Sequence, residues 1–357
     1  MRPLSIIQTM LAGGATYDAI MPRLVTLFLV TAAVLASVPG WTGEERLQLL
    51  DGEARIEARP VMLDPADPAR RRVGRLEFLN GVALTSPDPA FGGYSALVVR
   101  GRQVTLLSDG GNVVRFAWAY PGQPRQVFFA NLPAGPGTGW DKSDRDSESL
   151  AIDPATGRSW IGFESSNTIM RFAPDLARGE GAARPAAMRD WPAGGGPESL
   201  VRLPDGRFLS IAETARPSAR SWRGGGRGQA RQGLIWRRDP VAPGAGPARF
   251  VYRTVGRFDV ADAAALPDGR LLVLERGFDL PYRFHNRIVL VAAGMVRPGA
   301  IVKGRLLATL DAPLIHDNFE GIAATRERRD TIIWLVSDDN QTRLLQRTLL
   351  LRFRLRE

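Results

Sequence analysis

The stretch Glu198-Ser-Leu-Val-Arg-Leu-Pro-Asp-Gly-Arg-Phe-Leu-Ser-Ile-Ala-Glu213 contains the pattern from which the fold of this chain can be predicted. An acidic residue opens a short apolar run, a turn follows at Pro204 to Arg207, and a second apolar run ends in another acid. Because the turn lies midway between the acids, the pattern predicts a β-hairpin with Glu198 and Glu213 side by side at its open end. Two like charges opposite each other destabilise a hairpin, so we expect the paired acids to have a function.

The same pattern occurs in three further segments, Glu148 to Glu164, Asp262 to Glu275 and Glu320 to Asp338. In chain order the four segments begin 50, 64 and 58 residues apart. That spacing is too long for a two-hairpin sandwich and suits a propeller blade of about four strands with loop insertions. The repeat therefore predicts a β-propeller.

The rest of the chain also has the features of an all-β protein. Short runs of Val, Leu, Ile, Phe and Trp are separated by clusters of Gly, Pro, Asp and Asn, and helical periodicity is nearly missing. A degenerate unit with an acid at only one end runs from Gly81 to Asn112, and the segments Glu44 to Arg75 and Leu344 to Glu357 can pair as a final blade. Closure by both ends removes exposed sheet edges. We therefore predict an all-β fold, a β-propeller of six blades closed by strands from both termini.

The composition argues against several classes of function. The 357 residues include 47 Lys and Arg against 37 Asp and Glu, which gives a net charge of +10. Only two of these basic residues are lysines, and the arginines are scattered. Their densest groups, Arg70 to Arg72 and Arg326 to Arg329, have no interleaved aromatic residues, whereas a nucleic-acid-binding protein would cluster them on one face. We expect no nucleic-acid partner, while an anionic ligand such as a phosphate ester suits the charge. The absence of cysteine excludes disulfides, thiolate metal sites and cysteine nucleophiles.

The N-terminal segment has the pattern of an export signal. Met21-Pro-Arg23 precedes an apolar run from Leu24 to Ala36, and small residues suitable for cleavage extend to Gly40. We expect residues 1–40 to be a leader, with Met21 as a possible true start, and residues 41–357 to form a single domain. The mature chain would then be periplasmic or secreted, monomeric and without a membrane span. The alternative is an uncleaved leader that tethers the domain to the inner membrane.

The acids are expected to meet at the centre of the propeller. The innermost strand of each blade lines the central channel, so Glu148, Glu198, Asp262 and Glu320 would form a ring of carboxylates. A second set would support this ring: Glu164, Glu213, Glu275 and Asp338. Such a cluster is tolerated if a hard cation such as calcium or magnesium neutralises it, or if some carboxyl groups keep their protons. In the alternative interpretation each acid pairs with an arginine or accepts backbone hydrogen bonds.

Few other residues point to catalysis. No Gly-x-Ser-x-Gly motif is present, and the two histidines are His285 and His316. His316 lies close in sequence to Glu320 and is a candidate general acid or base, and the alternative is a loop histidine hydrogen bonded to backbone. Arg276 could hold an anionic group with both of its terminal nitrogens, or pair with a neighbouring acid. Asp338-Asp339-Asn340 places three oxygen-bearing side chains at a strand end, which fits a metal site or an Asx turn.

Several motifs resemble those of the bacterial phytase-like family, known as "esterase-like activity of phytase". They are Arg145-Asp-Ser-Glu-Ser-Leu-Ala151, Leu274-Glu-Arg276, Asn318-Phe-Glu-Gly-Ile-Ala323, Val336-Ser-Asp-Asp-Asn340 and Gln346-Arg-Thr-Leu-Leu-Leu351. The similarity extends from about Arg75 to the C-terminus and implies an exported protein with a propeller-like β fold. Two departures are Asp262-Ala-Ala, where a Glu-Gly or Glu-Ser pair is expected, and Gln341, where an aromatic residue is more usual.

The resemblance implies a set of functional acids and a hydrolase acting on esters. Carried over position by position, these acids are Glu148, Glu164, Glu198, Glu213, Glu275, Glu320, Asp338 and Asp339, which we predict as ligands of a divalent cation, calcium first. We predict Glu148, Glu320, Arg276 and His316 as the catalytic residues for metal-assisted hydrolysis of a small phosphate ester or related ester. The alternatives are a non-catalytic periplasmic propeller that binds a metal, sugar or protein, and a lactonase of the gluconolactonase-like propellers.

Overall fold

The computed structural model describes residues 25–30, 55–137, 142–219, 222, 226–280, 283–342 and 345–356. Apart from residues 25–30, which are helical, the predicted leader over residues 1–40 lies outside the described residues. Within the described residues, none of the helices has the length and apolar character needed to cross a membrane. All of the strands belong to the unit Gly43–Glu357.

The described residues form short strands joined mostly by tight turns. In chain order they are β1 (Glu57–Pro60), β2 (Arg72–Val73), β3 (Leu76–Thr85), β4 (Tyr94–Arg100), β5 (Gln103–Ser108), β6 (Asn112–Ala117), β7 (Arg125–Asn131), β8 (Ser147–Ile152), β9 (Ser159–Phe163), β10 (Thr168–Phe172), β11 (Gly179–Ala183), β12 (Ser199–Arg202), β13 (Phe208–Ile211), β14 (Ala230–Trp236), β15 (Ala248–Arg253), β16 (Asp259–Ala265), β17 (Leu271–Asp279), β18 (Arg283–Val291), β19 (Ile301–Val302), β20 (Arg305–Leu310), β21 (Phe319–Glu327), β22 (Asp330–Ser337) and β23 (Thr348–Leu355). Single-turn 3-10 helices span Lys142–Asp144, Pro174–Leu176, Ala186–Met188 and Arg227–Gln229.

These strands form five antiparallel sheets, which are the blades of a β-propeller. Blade 1 is β4 to β7, blade 2 is β8 to β11, and blade 3 is β12 to β15 with β19 added in parallel at its outer edge. Blade 4 is β16, β17, β18 and β20. Blade 5 has the order β21-β22-β23-β3-β1, and β2 also pairs with β3.

The prediction of six blades is therefore wrong, and the described strands make five. The hairpin Glu320 to Asp338 supplies only the two inner strands of its blade, β21 and β22. The C-terminal strand β23 and the N-terminal strand β3 complete that same blade, with Leu351 opposite Gly81, instead of building a sixth. The predicted closure by strands from both termini is correct, but the strand that pairs with β23 is β3 and not the segment Glu44 to Arg75, whose strand β1 pairs with β3 instead. Gly81 therefore belongs to this closing strand and not to blade 1.

The predicted hairpins form around their turns. In blade 3, β12 and β13 pair from Ser199 opposite Ile211 to Arg202 opposite Phe208, and the backbone of Leu203 and Arg207 closes the turn. Gly206 has a φ of 84°, a left-handed conformation that glycine adopts without steric cost. The Pro-Asp-Gly-Arg sequence thus ends one strand and starts the next.

Hydrophobic side chains fill each space between neighbouring blades. Five clusters of buried residues lie between neighbouring blades: between 5 and 4, 5 and 1, 4 and 3, 3 and 2, and 2 and 1. Phe353 and Phe78, for example, are fully buried and pack edge to face at 5.5 Å between ring centres. Each inner strand contacts the inner strands of the two adjacent blades, so β4, β8, β12, β16 and β21 form a closed ring. This ring determines where the acids of the hairpins lie.

Candidate functional site

Strand register gives one equivalent residue at the start of each inner strand, which we call the inner position. In blades 1, 2, 4 and 5 the pairing of the two inner strands skips a single residue, as at a β-bulge, a device that redirects a side chain. In blade 3 the equivalent residue directly precedes β12. The residues at the inner position are Ser95, Glu148, Glu198, Ala261 and Glu320.

The second strand of each blade carries a matching outer position. In blades 1, 2, 3 and 5 its backbone N–H donates to the carbonyl of the residue two before the inner position, as from Glu164 to Asp146. In blade 4 the equivalent residues, Arg276 and Asp259, are partners in the β16–β17 ladder. The residues at the outer position are Asp109, Glu164, Glu213, Arg276 and Asp338. The two positions together hold seven acids and one arginine. We call these eight residues, together with Asp146 and Asn318, the acidic cluster.

Two groups of carboxylates in the acidic cluster are close enough to share a cation. Oxygen atoms of Asp146, Glu148 and Glu164 lie within 4.8 Å of one another, and so do those of Glu164, Glu198 and Glu213. We call these the first and second triads. Glu164 belongs to both, and the second triad joins blades 2 and 3. Glu148 and Glu198 are only 8% and 7% exposed, so water does little to separate their charges.

Burial and repulsion by neighbouring charges raise the pKa values of Glu148, Glu198 and Glu164. Burial is the largest cause for Glu148, whose pKa is well above its ordinary value, and the charges of Asp146 and Glu164 add to it. Burial raises the pKa of Glu198 in the same way, followed by Glu164 and Glu213. The pKa of Glu164 is raised to about 7, again mainly by burial, although a hydrogen bond with Glu198 lowers it. Without a cation, burial and the neighbouring charges therefore favour the protonated forms of Glu148, Glu164 and Glu198.

Arg276 is the one basic residue of the acidic cluster. Its Nη2 donates to Oε1 of Glu213 at 2.8 Å, and its Nη1 donates to Oδ1 of Asn318 at 2.9 Å and to Oε1 of Glu320. Burial by itself lowers the pKa of Arg276, but the charges of Glu320, Glu213 and Glu198 outweigh it and raise the pKa above the ordinary value. Burial likewise raises the pKa of Glu213, against the opposing attraction of Arg276.

Asp338 and Asp109 complete the cluster on the side of blades 5 and 1. Burial raises the pKa of Asp338 well above its ordinary value, and the charges of Glu320 and Asp109 raise it further. The same Asp109 charge contributes to the raised pKa of Glu148 in blade 2. Carboxylates from blades 1, 2 and 5 therefore influence one another across the centre of the ring.

Three of the predicted site residues, Glu275, Asp339 and His316, form their contacts outside the acidic cluster. Glu275 accepts a hydrogen bond from the Tyr252 hydroxyl at 2.8 Å and lies 3.6 Å from Arg287, and burial raises its pKa to about 7. Asp339 accepts from the Gly93 backbone N–H and the Thr348 hydroxyl.

Nδ1 of His316 is hydrogen bonded to the Leu314 carbonyl at 2.7 Å, the backbone contact expected in the alternative interpretation. Among the described residues no hydrogen bond or ion pair joins its side chain to the acidic cluster.

Asp262 joins two blades instead of entering the acidic cluster. Its carboxylate accepts from the backbone N–H of Ala263 at 2.7 Å and of Ile322, in the adjacent inner strand β21, at 2.8 Å. The acids of blade 4 are offset by one residue from the cluster positions: Asp262 follows the inner position, Ala261, and Glu275 precedes the outer position, Arg276. A shift of one residue along a strand turns the side chain to the other face of the sheet.

Sequence reasoning did not include Asp146 and Asn318 among the functional residues. Both lie two residues before an inner-position glutamate and within quoted motifs, so their common spacing was the available signal. Asp109 was predicted only as the acid at one end of the degenerate unit.

The comparison with protein families decides the affiliation of the chain. The family model described as "Phytase-like: Esterase-like activity of phytase" matches residues 89–341. The chain belongs to the phytase-like family. The match includes all of the acids of the cluster, from Asp109 to Asp338. A search of curated proteins found no match to this phytase-like chain.

Solved structures that match this chain are distant from it in sequence. An α-L-arabinofuranosidase from Podospora anserina in complex with cellotriose is 11% identical, with a TM-score of 0.47 over 79% of this chain and 97% of that one. A glutaminyl cyclase from Myxococcus xanthus is 12% identical, with a TM-score of 0.42 over 80% and 100%. The Swd1 β-propeller domain from Myceliophteria thermophila is 9% identical, with a TM-score of 0.37 over 78% and 99%.

Proposed function

We propose that this phytase-like protein is a hydrolase that cleaves a phosphate ester or related ester at the acidic cluster, with the help of a bound divalent cation. The observation that carries the proposal is the pair of carboxylate triads sharing Glu164. Family membership supports the reaction class, since the family is described by an esterase-like activity.

The residues present fit a hard divalent cation. Every ligand atom of both triads is a carboxylate oxygen, the donor type that calcium and magnesium prefer, and the mutual repulsion of the acids favours a positive charge among them. Asp146, Glu148, Glu164, Glu198 and Glu213 would hold it. We propose calcium, because its flexible coordination suits side chains that come from two blades. When bound, such a cation supplies Lewis-acid polarisation of an ester oxygen and makes nearby water more acidic.

The remaining side chains of the cluster bind, orient and transfer protons in this proposal. Arg276 and Asn318 fix the carboxylate of Glu320 from two directions, and Glu320 is then oriented to accept a proton from an attacking water. Glu148, as a ligand of the cation, would be ionised when the cation is bound, so Glu320 can pass the proton that it takes from the water on to the leaving group. Glu275, Asp339 and His316, predicted from sequence, have no assigned role here because their contacts lie elsewhere.

An exported location is part of the proposal. It is supported by the basic and apolar pattern from Met21 to Ala36 and by the small residues that follow. A periplasmic or secreted site would also give the protein access to calcium.

A metal-supplemented activity screen tests the proposal. The purified protein is assayed with phosphomonoester, phosphodiester and carboxylester substrates, in EDTA and after addition of Ca²⁺. We expect turnover of at least one ester class with Ca²⁺, and a loss of about 100-fold or more in a Glu148→Gln/Glu320→Gln double variant. Asp268→Asn, in the exposed β16–β17 turn, is the matched control and should retain full activity.

Two outcomes contradict the proposed hydrolase. Turnover that persists in EDTA and in the double variant would place the reaction elsewhere. Calcium binding without turnover of any ester would instead favour a propeller that binds ligands without catalysis.

A further inference from the structure

Blade 4 differs from the other four blades at both positions of the acidic cluster. Ala261 replaces a polar or acidic residue at the inner position, and Arg276 replaces an acid at the outer position. Blades 3 and 4 share the turn Pro-Asp-Gly-Arg, and aligning that turn gives the same equivalence. Glu198 and Ala261 each lie six residues before the turn, and Glu213 and Arg276 each lie six residues after it.

We propose that the Arg276 guanidinium is a resident cation of the acidic cluster, occupying a third cation site formed by Glu213, Asn318 and Glu320. By occupying it, Arg276 confines divalent cations to the two triads that contain Glu164. This inference rests on the proposed function only in assuming that the triads bind a divalent cation.

The contacts of Arg276 are those of a bound cation. Its two terminal nitrogens donate to three oxygen atoms, at 2.8 Å to Glu213 and 2.9 Å to Asn318, with Glu320 as the third. Asn318 also donates through Nδ2 to Oε1 of Glu320 at 2.8 Å, which holds the ligands together. The ligands come from blades 3 and 5, one on either side of blade 4. Two carboxylates and an amide oxygen are also a donor set suited to calcium.

Arg276 also makes the two triads differ in their expected affinity for a divalent cation. Glu213 is a ligand in the second triad and a partner of Arg276, so an ion in the second triad must share this carboxylate with the guanidinium. Glu148 and Glu164 form no such contact with Arg276 among the described residues. The positive guanidinium of Arg276 repels a divalent cation bound beside it at Glu213, and this repulsion weakens the second triad. The first triad should therefore be the stronger divalent site.

The same contacts bear on substrate binding. The sequence left open whether Arg276 holds an anionic group or pairs with a neighbouring acid, and in the structure both of its terminal nitrogens face carboxylates or an amide. An anionic substrate would have to compete with Glu213 and Glu320 for the guanidinium. Arg276 is accordingly a positioning residue for the two glutamates.

Calorimetric titration with Ca²⁺ of the full chain tests the proposal. Arg276→Gln removes the resident charge and leaves its three ligands, so it should bind one Ca²⁺ per chain more than the unaltered protein. Arg287→Gln is the matched control, because Arg287 is another half-buried arginine that pairs with a buried glutamate, Glu275, outside the acidic cluster. It should leave the Ca²⁺ stoichiometry unchanged.

Arg276→Lys keeps the positive charge and provides a second test if Arg276→Gln does not fold. One ammonium cannot reach Glu213, Asn318 and Glu320 in the same fork geometry, so Glu213 is released and Ca²⁺ affinity at the second triad should rise by about threefold or more. The number of Ca²⁺ ions bound should stay that of the unaltered protein.

The outcomes separate this inference from the proposed function. If the unaltered protein binds no Ca²⁺ but Arg276→Gln binds one, the resident-cation role stands and the cation-dependent hydrolase does not. Unchanged stoichiometry in a folded Arg276→Gln variant, or unchanged affinity in Arg276→Lys, would overturn the inference.

Discussion

Glu164 connects the two carboxylate triads, and its chemistry illustrates the site at the scale of one residue. Its oxygens lie within 4.8 Å of those of Asp146 and Glu148 on one side and of Glu198 and Glu213 on the other. Burial raises its pKa to about 7, from an ordinary value of 4.5. A carboxylate in this setting destabilises the cation-free protein when it ionises and becomes favourable only beside a positive charge.

Replacing Glu164 by glutamine should separate these two effects. Glu164→Gln removes the ligand common to both triads, so Ca²⁺ affinity should fall by about 10-fold or more. It also removes a repelled charge, so the cation-free protein at pH 8 should be more stable by on the order of 1 kcal/mol. Calorimetric titration and denaturant unfolding in EDTA measure the two quantities.

Glu275→Gln is the control for this prediction. Glu275 has the same raised pKa of about 7 but is bonded to Tyr252 outside the acidic cluster, so its replacement should leave Ca²⁺ affinity unchanged. Equal losses of affinity in the two variants would show that the effect of Glu164 is not local to the triads.

At the scale of the element, the β-bulges of the inner strands determine which acids enter the cluster. Each bulge sets one residue, such as Glu148 or Glu320, apart from the regular alternation of its strand. The hairpins themselves could be predicted, because turn residues and apolar runs are visible in sequence. The offset in blade 4 was missed because acids were matched with acids, although the shared Pro-Asp-Gly-Arg turn aligns Glu198 with Ala261.

Asp262 provides a test at this scale, because it links inner strands instead of binding a cation. Asp262→Ala leaves the buried Ile322 N–H without its acceptor and should destabilise the protein by about 1–3 kcal/mol. Ca²⁺ affinity should remain within about twofold of the unaltered value. Denaturant unfolding and calorimetric titration measure both.

Asp268→Ala is the comparison for Asp262→Ala, since Asp268 is an exposed acid of the same hairpin paired with Arg270. Its cost should be below about 1 kcal/mol. A large loss of Ca²⁺ affinity in Asp262→Ala would mean that Asp262 belongs to the binding site, as the repeat pattern first suggested.

At the scale of the whole molecule, closure of the ring brings the acids together. Blade 5 is built from both ends of the chain, with β3 beside β23, and its inner strand β21 contacts β4 and β16. The acids recur in the sequence, and this recurrence was enough to predict a propeller and a convergence of carboxylates. The blade count was not predictable from the hairpins alone, because nothing local shows that Leu76–Thr85 pairs with Thr348–Leu355 in an existing blade.

The many buried acids predict an unusual dependence of stability on pH. Glu164 and Glu275 have folded-state pKa values of about 7, and Asp317 about 6, against ordinary values of 4.5 and 3.8. Between these values the folded protein keeps protons that the unfolded chain has released. Raising the pH through this window therefore removes the stability that these three groups contribute.

We accordingly expect the Tm in EDTA to fall between pH 5 and pH 7.5. Acids whose pKa is lowered, such as Asp153, have already released their protons below this range and do not offset the fall. Added Ca²⁺ should raise the Tm more at pH 7.5 than at pH 5, because it competes with fewer protons. Calorimetric scans at the two pH values, with and without Ca²⁺, check this. A Tm in EDTA that stays constant or rises would show that the acids are ionised without cost.

The measurement that tests the central claim most directly is an anomalous difference map from crystals of the protein grown with Mn²⁺ as a substitute for calcium. We predict a peak about 2.0–2.6 Å from carboxylate oxygens of Asp146, Glu148 and Glu164, the stronger triad. A map with no peak at either triad in millimolar Mn²⁺, or with the ion bound only at Asp339 or Glu275, would contradict a cation site built by the convergence of the blades.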